Sequence, residues 1–323
     1  MGCDASNYLP RRPTEAVFEC LIDLGYHRVR VTKPSKDHLG TFLFFDREDY
    51  RSHTALWAAV YAHESGLRVN TRTLVWRSHH DNAHHNKTIR VLRDRFDGYF
   101  KSDFGRNRYL KYDGVKRTPS ESGCFIAYLQ VQNSLVKADL YLGYRNFPTT
   151  LSNELTRELG MDPMSLSNNM LRVFLVSCLE DYLKSTFVAL LTVSAKKEVF
   201  LRGPKLRSED LLRVSEGRLK IEEAVANGRN FQNLESAFKA FRELDDKLNF
   251  KAALSKPYRR RNRTLLVSLN EMVSARHAFI HENVVDAEYV AEVNSDLANL
   301  KVSIDRIYSS VLKHHGWHDE RPC

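Results

Sequence analysis

Between Val290 and Val311 the apolar residues Val290, Val293, Leu297, Leu300, Ile304, Ile307 and Val311 recur at alternating spacings of three and four. That period belongs to an amphipathic helix, and a stripe of this length must be buried against other helices at shallow crossing angles. The rest of residues 151–323 repeats the signal. Leu166–Ser194 is apolar nearly all round, as a central bundle helix would be. Ser208-Glu209-Asp210 predicts a second helix capped by Ser208, with Gly228 as its stop. Phe231, Leu234, Phe238, Phe241, Leu244 and Leu248 mark a third. A fourth is expected from near Pro257 to about His281, and a fifth from near Asp286. Together they predict an all-α antiparallel bundle of about five helices.

Residues 1–150 have a different texture. His27–Thr32, Thr41–Phe45 and Val69–Trp76 read as strands, His53–Glu64 as a short helix, and Asn82 to Phe100 as a longer one. Val136, Ala138, Leu140 and Leu142 alternate with polar neighbours, so Cys124–Gln130 and Leu135–Leu142 are expected to form a hairpin around a Gln-Asn-Ser tip. The first half is therefore expected to be a small α/β domain, and the whole chain α+β. Tyr144–Pro163 holds two prolines and many polar residues, which puts the domain boundary at about residue 150. Residues 1–150 then precede a helical domain of residues 151–323.

Charge bears on partners. Lys and Arg number 49 against 40 Asp and Glu in 323 residues, a net +9, and 42% hydrophobic content excludes a largely disordered chain. Residues 72–117 alone hold twelve Lys and Arg against five Asp and Glu. Trp76, Phe96, Tyr99, Phe100, Phe104, Tyr109 and Tyr112 interleave with them, a mixture that suits phosphate contact plus base stacking. Arg106 and Arg108, in the expected loop 102–109, are candidate RNA contacts. The plainer alternative makes the aromatics core and the arginines a solvated face.

Five widely spaced cysteines with no C-x-x-C argue against a disulfide scaffold and for a reducing, cytoplasmic setting. The start, MGCDASNYLPRR, is no secretory signal, and Met170–Val193 carries too many charges for a membrane span. The start does fit a short lipidation pattern at Gly2 and Cys3, which is not expected to operate. Nucleotide-binding loops and hydrolase elbows are missing. The run His79-His80-Asp81-Asn82-Ala83-His84-His85 offers i,i+4 pairs for a metal but no evident third ligand, so no metal or other cofactor is expected. Asp81 or Asn82 is a candidate helix cap.

The richest segment is SARHAFIHEN, Ser274–Asn283. At about 100° per residue, Arg276 lies at the centre of an apolar arc that includes Leu265, Leu269, Met272, Val273, Phe279 and Ile280, while His277 and His281 lie on its flank. A guanidinium in that position requires a partner, a groove or a subunit interface. A salt bridge to a neighbouring helix is the simplest arrangement.

Arg276-His277-Ala278-Phe279-Ile280-His281 resembles the R-x4–6-H motif of the HEPN superfamily of helical-bundle ribonucleases. As in that family, the motif follows an apolar helical run and precedes another long helix. Leu179-Glu180-Asp181-Tyr182 resembles the acidic and aromatic residues of the family's first bundle helix. The likeness spans about residues 163–315.

The resemblance implies a metal-independent RNA endonuclease, acting as a toxin or an abortive-infection (antiviral defence) effector. Attack of a ribose 2′-OH on the adjacent phosphate needs a base that works near neutral pH and a fixed cation for the phosphorane oxygens. By the match, His281 is the base or acid, Arg276 the phosphate stabiliser, and His277 the residue that orients His281 or the substrate. Such domains usually dimerise, so a homodimer is implied, with an antitoxin or defence-system partner, and tRNA or mRNA as substrate. Upstream, Arg259, Arg260, Arg261 and Arg263 are candidate phosphate contacts. The alternative is a non-catalytic HEPN-like dimerisation module that binds RNA or protein.

Overall fold

Near the start of the chain, where no element was expected, Cys3–Pro10 is a strand. Cys3, Ala5, Asn7 and Leu9 alternate with outward residues, and β1 (Cys3–Pro10) pairs antiparallel with two neighbours. A computed structural model describes residues 2–10, 13–32, 35–145, 162–202, 206–258, 263–282 and 290–321. The chain is α+β, with an antiparallel sheet of seven strands followed by helices.

The first compact unit spans Met1–Ser122. In chain order it contains β1, α1 (Thr14–Asp23), β2 (His27–Val29), β3 (His38–Phe44), β4 (Leu56–His63), β5 (Gly66–Thr73), α2 (His79–Arg95), β6 (Tyr99–Ser102) and β7 (Gly105–Arg106). The sheet order is β2-β3-β4-β5-β1-β6-β7, every pair antiparallel. Phe42, Leu56, Ala58, Val60, Val69 and Leu9 pack with Val17, Cys20 and Leu21 of α1 and Leu92 of α2. Ala5 and Phe100 pack with Ile89 of α2. The two helices thus seal one face of the sheet.

Two expectations for this unit are corrected. His53–Glu64 is not a helix: Leu56, Ala58 and Val60 are buried and their neighbours are not, the period of β4. Its alanines suit a helix, but pairing on both sides overrides that preference. The loop expected over 102–109 contains the short hairpin β6–β7, with Gly105 at φ +112. The lipidation pattern also has a structural occupation, because Cys3 is buried and its N–H donates to Thr73 Oγ1.

The second unit spans Gly123–Cys323. The helices are α3 (Pro119–Tyr144), α4 (Pro163–Val193), α5 (Lys197–Arg202), α6 (Ser208–Ser215), α7 (Ile221–Asn227), α8 (Leu234–Leu244), α9 (Phe250–Leu254), α10 (Leu265–His281) and α11 (Val290–His315). The expected hairpin is therefore one helix. Its buried residues Tyr128, Val131, Leu135 and Ala138 are three or four apart, whereas Val136 and Leu140, which set the apparent alternation, are each 52% exposed. The units divide within the first turn of α3, upstream of the boundary expected at about residue 150. Residues 146–161 of the expected linker lie outside the described residues.

α4 is buried along most of its length, as its sequence requires, with Asp162 as N-cap to the Ser165 N–H and Pro163 in its first turn. The stripe Val293, Leu297, Leu300, Ile304, Ile307 and Val311 is fully buried on α11. The second expected helix is two, α6 and α7, broken near Gly217 at φ +68, and Gly228 does end α7. Arg207, not Ser208, holds the cap position of α6. The third is α8, which ends at Leu244, and a short helix that was not expected, α9, follows with Asn249 as its cap. The fourth starts at Leu265, eight residues after Pro257, with Thr264 as its cap. The start expected near Asp286 lies outside the described residues.

Candidate active site at the end of the motif helix

Thr264 Oγ1 accepts from the Val267 N–H and starts α10, which then buries Leu265, Leu269 and Met272 against its neighbours.

 The helix packs on α4 and α11. Arg276 follows Leu265, Leu269 and Met272 on the same stripe, and its guanidinium meets Glu180 of α4, with Nη1 donating to Oε1 at 2.9 Å. Both side chains are under one-fifth exposed. Burial pushes the Glu180 carboxyl above its ordinary range; the charge on Arg276 opposes that, and Asp181 adds to it. Arg276 Nε is buried without a hydrogen-bond partner.

His277 and His281 occupy the flank, both exposed, with ring centroids 4.6 Å apart and planes inclined at 44°. Residues four apart on a helix share a face, so the pair follows from the helix itself. Among the described residues, no hydrogen bond joins Arg276 to either imidazole. The end of α10 thus presents two adjacent imidazoles to solvent, beside a guanidinium anchored inward by a carboxylate. An imidazole can serve as a general acid or base, and a cation nearby can stabilise an anionic phosphate.

The basic run before α10 is only partly described. Arg259, Arg260 and Arg261 lie outside the described residues. Arg263 is exposed and forms an ion pair with Glu271, so its charge is already balanced. Just before these arginines in sequence, the carbonyls of Lys256 and Pro257 accept from Arg306 of α11, whose guanidinium also lies over the Tyr258 ring. α10 begins after its Thr264 cap and not near Pro257 as expected.

In the first unit, Arg106 and Arg108 are both exposed. Arg106 lies over the Tyr99 ring at 4.5 Å, and the Arg108 carbonyl accepts from Ser102 Oγ at 2.5 Å. The aromatics of residues 72–117 divide between the two readings given above: Phe96 and Phe100 are core, while Phe104 is exposed.

The histidine run has four separate structural roles. His79 packs edge-on to Tyr112, His80 approaches Asp46 at 3.3 Å, His84 stacks on Phe44 at 3.6 Å, and His85 bonds Thr71 Oγ1 at 2.8 Å. Ser78, not Asp81 or Asn82, is the N-cap of α2. Asp81 is its capping-box partner, accepting from the N–H groups of Ser78, His53 and Thr54. Among the described residues, no group of three acidic, histidine or cysteine side chains is arranged to hold a metal.

Two polar pairs in the second unit escaped the sequence reading. Arg172 of α4 binds Asp296 of α11 through Nε at 3.0 Å and Nη2 at 2.8 Å. Asp245, which ends α8 with its N–H donating to the Phe241 carbonyl, meets His314 Nε2 of α11 through its carboxylate at 2.7 Å. Each pair joins residues more than sixty positions apart, which a local motif cannot reveal. No protein-family model, curated protein or solved structure matches the chain. Among the described residues, no helix is long and apolar enough to cross a membrane.

Proposed function

We propose that the chain is a metal-independent RNA endonuclease, acting in the cytoplasm as a toxin or defence effector. The observation that carries this reading is the end of α10, where His277 and His281 lie side by side and open to solvent next to the anchored Arg276. One imidazole takes the proton from a ribose 2′-OH, and the oxygen attacks the adjacent phosphorus. The P–O5′ bond breaks, the leaving O5′ gains a proton, and the products carry a 2′,3′-cyclic phosphate and a 5′-OH. Arg276 stabilises the phosphorane charge, and His277 orients His281 or the substrate. A homodimer brings two such sets to one cleft.

A second reading has its own observation. Arg276 is already paired with Glu180, as a structural arginine would be. On that reading the helices form a non-catalytic module that binds RNA or a protein partner. Purified chain and its His281→Ala variant, incubated with cellular RNA with and without EDTA, separate the two. Cleavage with 5′-OH ends by the parent alone supports the nuclease. Equal cleavage by both removes His281 from the chemistry, no cleavage by the parent favours the module, and loss of cleavage in EDTA rejects the metal-independent mechanism.

A further inference from the structure

The face of the sheet turned away from α1 and α2 is rich in aromatic and cationic side chains. Strand register places them in rows, because directly paired residues share a face. One row runs from Tyr61 through Arg68 and Tyr8 to Tyr99. The next runs from Asn70 through Ser6 and Lys101 to Arg106. A third holds Trp57, Arg72 and Asp4. The intervening residues Val60, Val69, Ala5 and Phe100 point into the core, so the alternation is strict.

The side chains on these rows are organised as a stack. Tyr8 and Tyr99 lie 4.9 Å apart with planes inclined by only 13°. Arg106 covers Tyr99, Lys101 lies 5.7 Å from the Tyr8 ring, and Arg68 lies 5.1 Å from the Tyr61 ring. Trp57 is 41% exposed on the same face. Arg72, Lys101 and Arg106 are exposed, and the carboxylate on these rows, Asp4, is 3.5 Å from Arg72. The surface therefore pairs excess positive charge with flat π-surfaces.

We propose that this face binds single-stranded RNA, with bases stacking on Tyr8, Tyr99, Tyr61 and Trp57 and phosphates meeting Arg72, Lys101 and Arg106. Cations alone would suit any polyanion, and aromatics alone any apolar partner. Together they suit a strand whose bases are unpaired, since a duplex keeps its π-faces stacked internally. The choice of RNA rests on the nuclease reading above, but the binding does not depend on cleavage at His281.

The test uses the full chain carrying His281→Ala, so that RNA stays intact, and a labelled twelve-nucleotide RNA read by fluorescence anisotropy. The single strand binds at least about tenfold more tightly than a duplex of the same length, and Tyr99→Leu removes about tenfold of that affinity. Lys101→Ala weakens binding and flattens its dependence on salt. Trp57→Ala, at an exposed position, weakens binding too and serves if Tyr99→Leu fails to fold. Equal binding of single strand and duplex, or affinity unchanged in folded Tyr99→Leu and Trp57→Ala, overturns the platform. Binding without cleavage by the parent chain retains the platform and removes the nuclease. Cleavage without single-strand preference does the reverse.

Discussion

Arg276 on α10 donates to Glu180 on α4 at 2.9 Å, ninety-six residues away in the chain, with both side chains mostly buried. Each charge makes the other tolerable where it lies. Removing one leaves its partner desolvated and unpaired, which costs more than the pair contributes. Arg276→Ala and Glu180→Ala are each expected to destabilise the fold by about 1–3 kcal/mol. The double variant should lose less than the sum of the two. Urea unfolding of the four proteins measures this, and strict additivity would show that the pair does not couple.

His281 gives the cleaner separation of chemistry from folding. It is exposed in the last turn of α10, so His281→Ala should change stability by no more than about 0.5 kcal/mol. Loss of a general acid or base should slow RNA cleavage by about 10²–10⁴-fold. Single-turnover cleavage beside a urea melt gives both numbers. A loss of activity that tracks a loss of stability would point to unfolding, not chemistry.

The helical half was legible in the sequence because burial of one face leaves a period of three and four, as along Val293–Val311. The first half was less so. β1 has the polar Asn7 at a buried position, and β4 is rich in alanine, so neither shows a strand by composition. Their identity comes from pairing with β5, a relation between distant segments. Arg276, His277 and His281 are close in sequence and could be read from one helix. Glu180 was read only through a family likeness, and its contact with Arg276 came from the fold. The rows of aromatics on the sheet depend on register across four strands, which no single segment carries.

The reading of α3 as a helix can be checked at two adjacent residues. Leu135 is fully buried, whereas Val136 is half exposed. Leu135→Ala is expected to cost about 2–5 kcal/mol, the range for an apolar core deletion. Val136→Ala should cost less than about 0.5 kcal/mol. The hairpin pattern, which makes Val136 an inward residue, gives the opposite order. Urea denaturation midpoints of the two variants decide between them.

The first unit should be sensitive to acid through its buried histidines. Burial lowers the pKa of His53 to about 4, with Arg117 adding to the effect. Burial also lowers His84 to about 4 and His85 to about 3, with His80 and Arg77 respectively as the next contributions. In the unfolded chain these imidazoles take up protons near pH 6.5. The unfolded state therefore binds more protons below that pH, and stability falls as pH drops from about 6.5 towards 4 and 3. Stability from this source is fully present above about pH 6.5. His84→Phe removes one titrating ring and keeps an aromatic surface against Phe44. Its unfolding free energy should fall less steeply between pH 6.5 and 5 than that of the parent, by up to one proton's worth of slope. Parallel slopes in urea melts across that range would show that His84 does not protonate on unfolding.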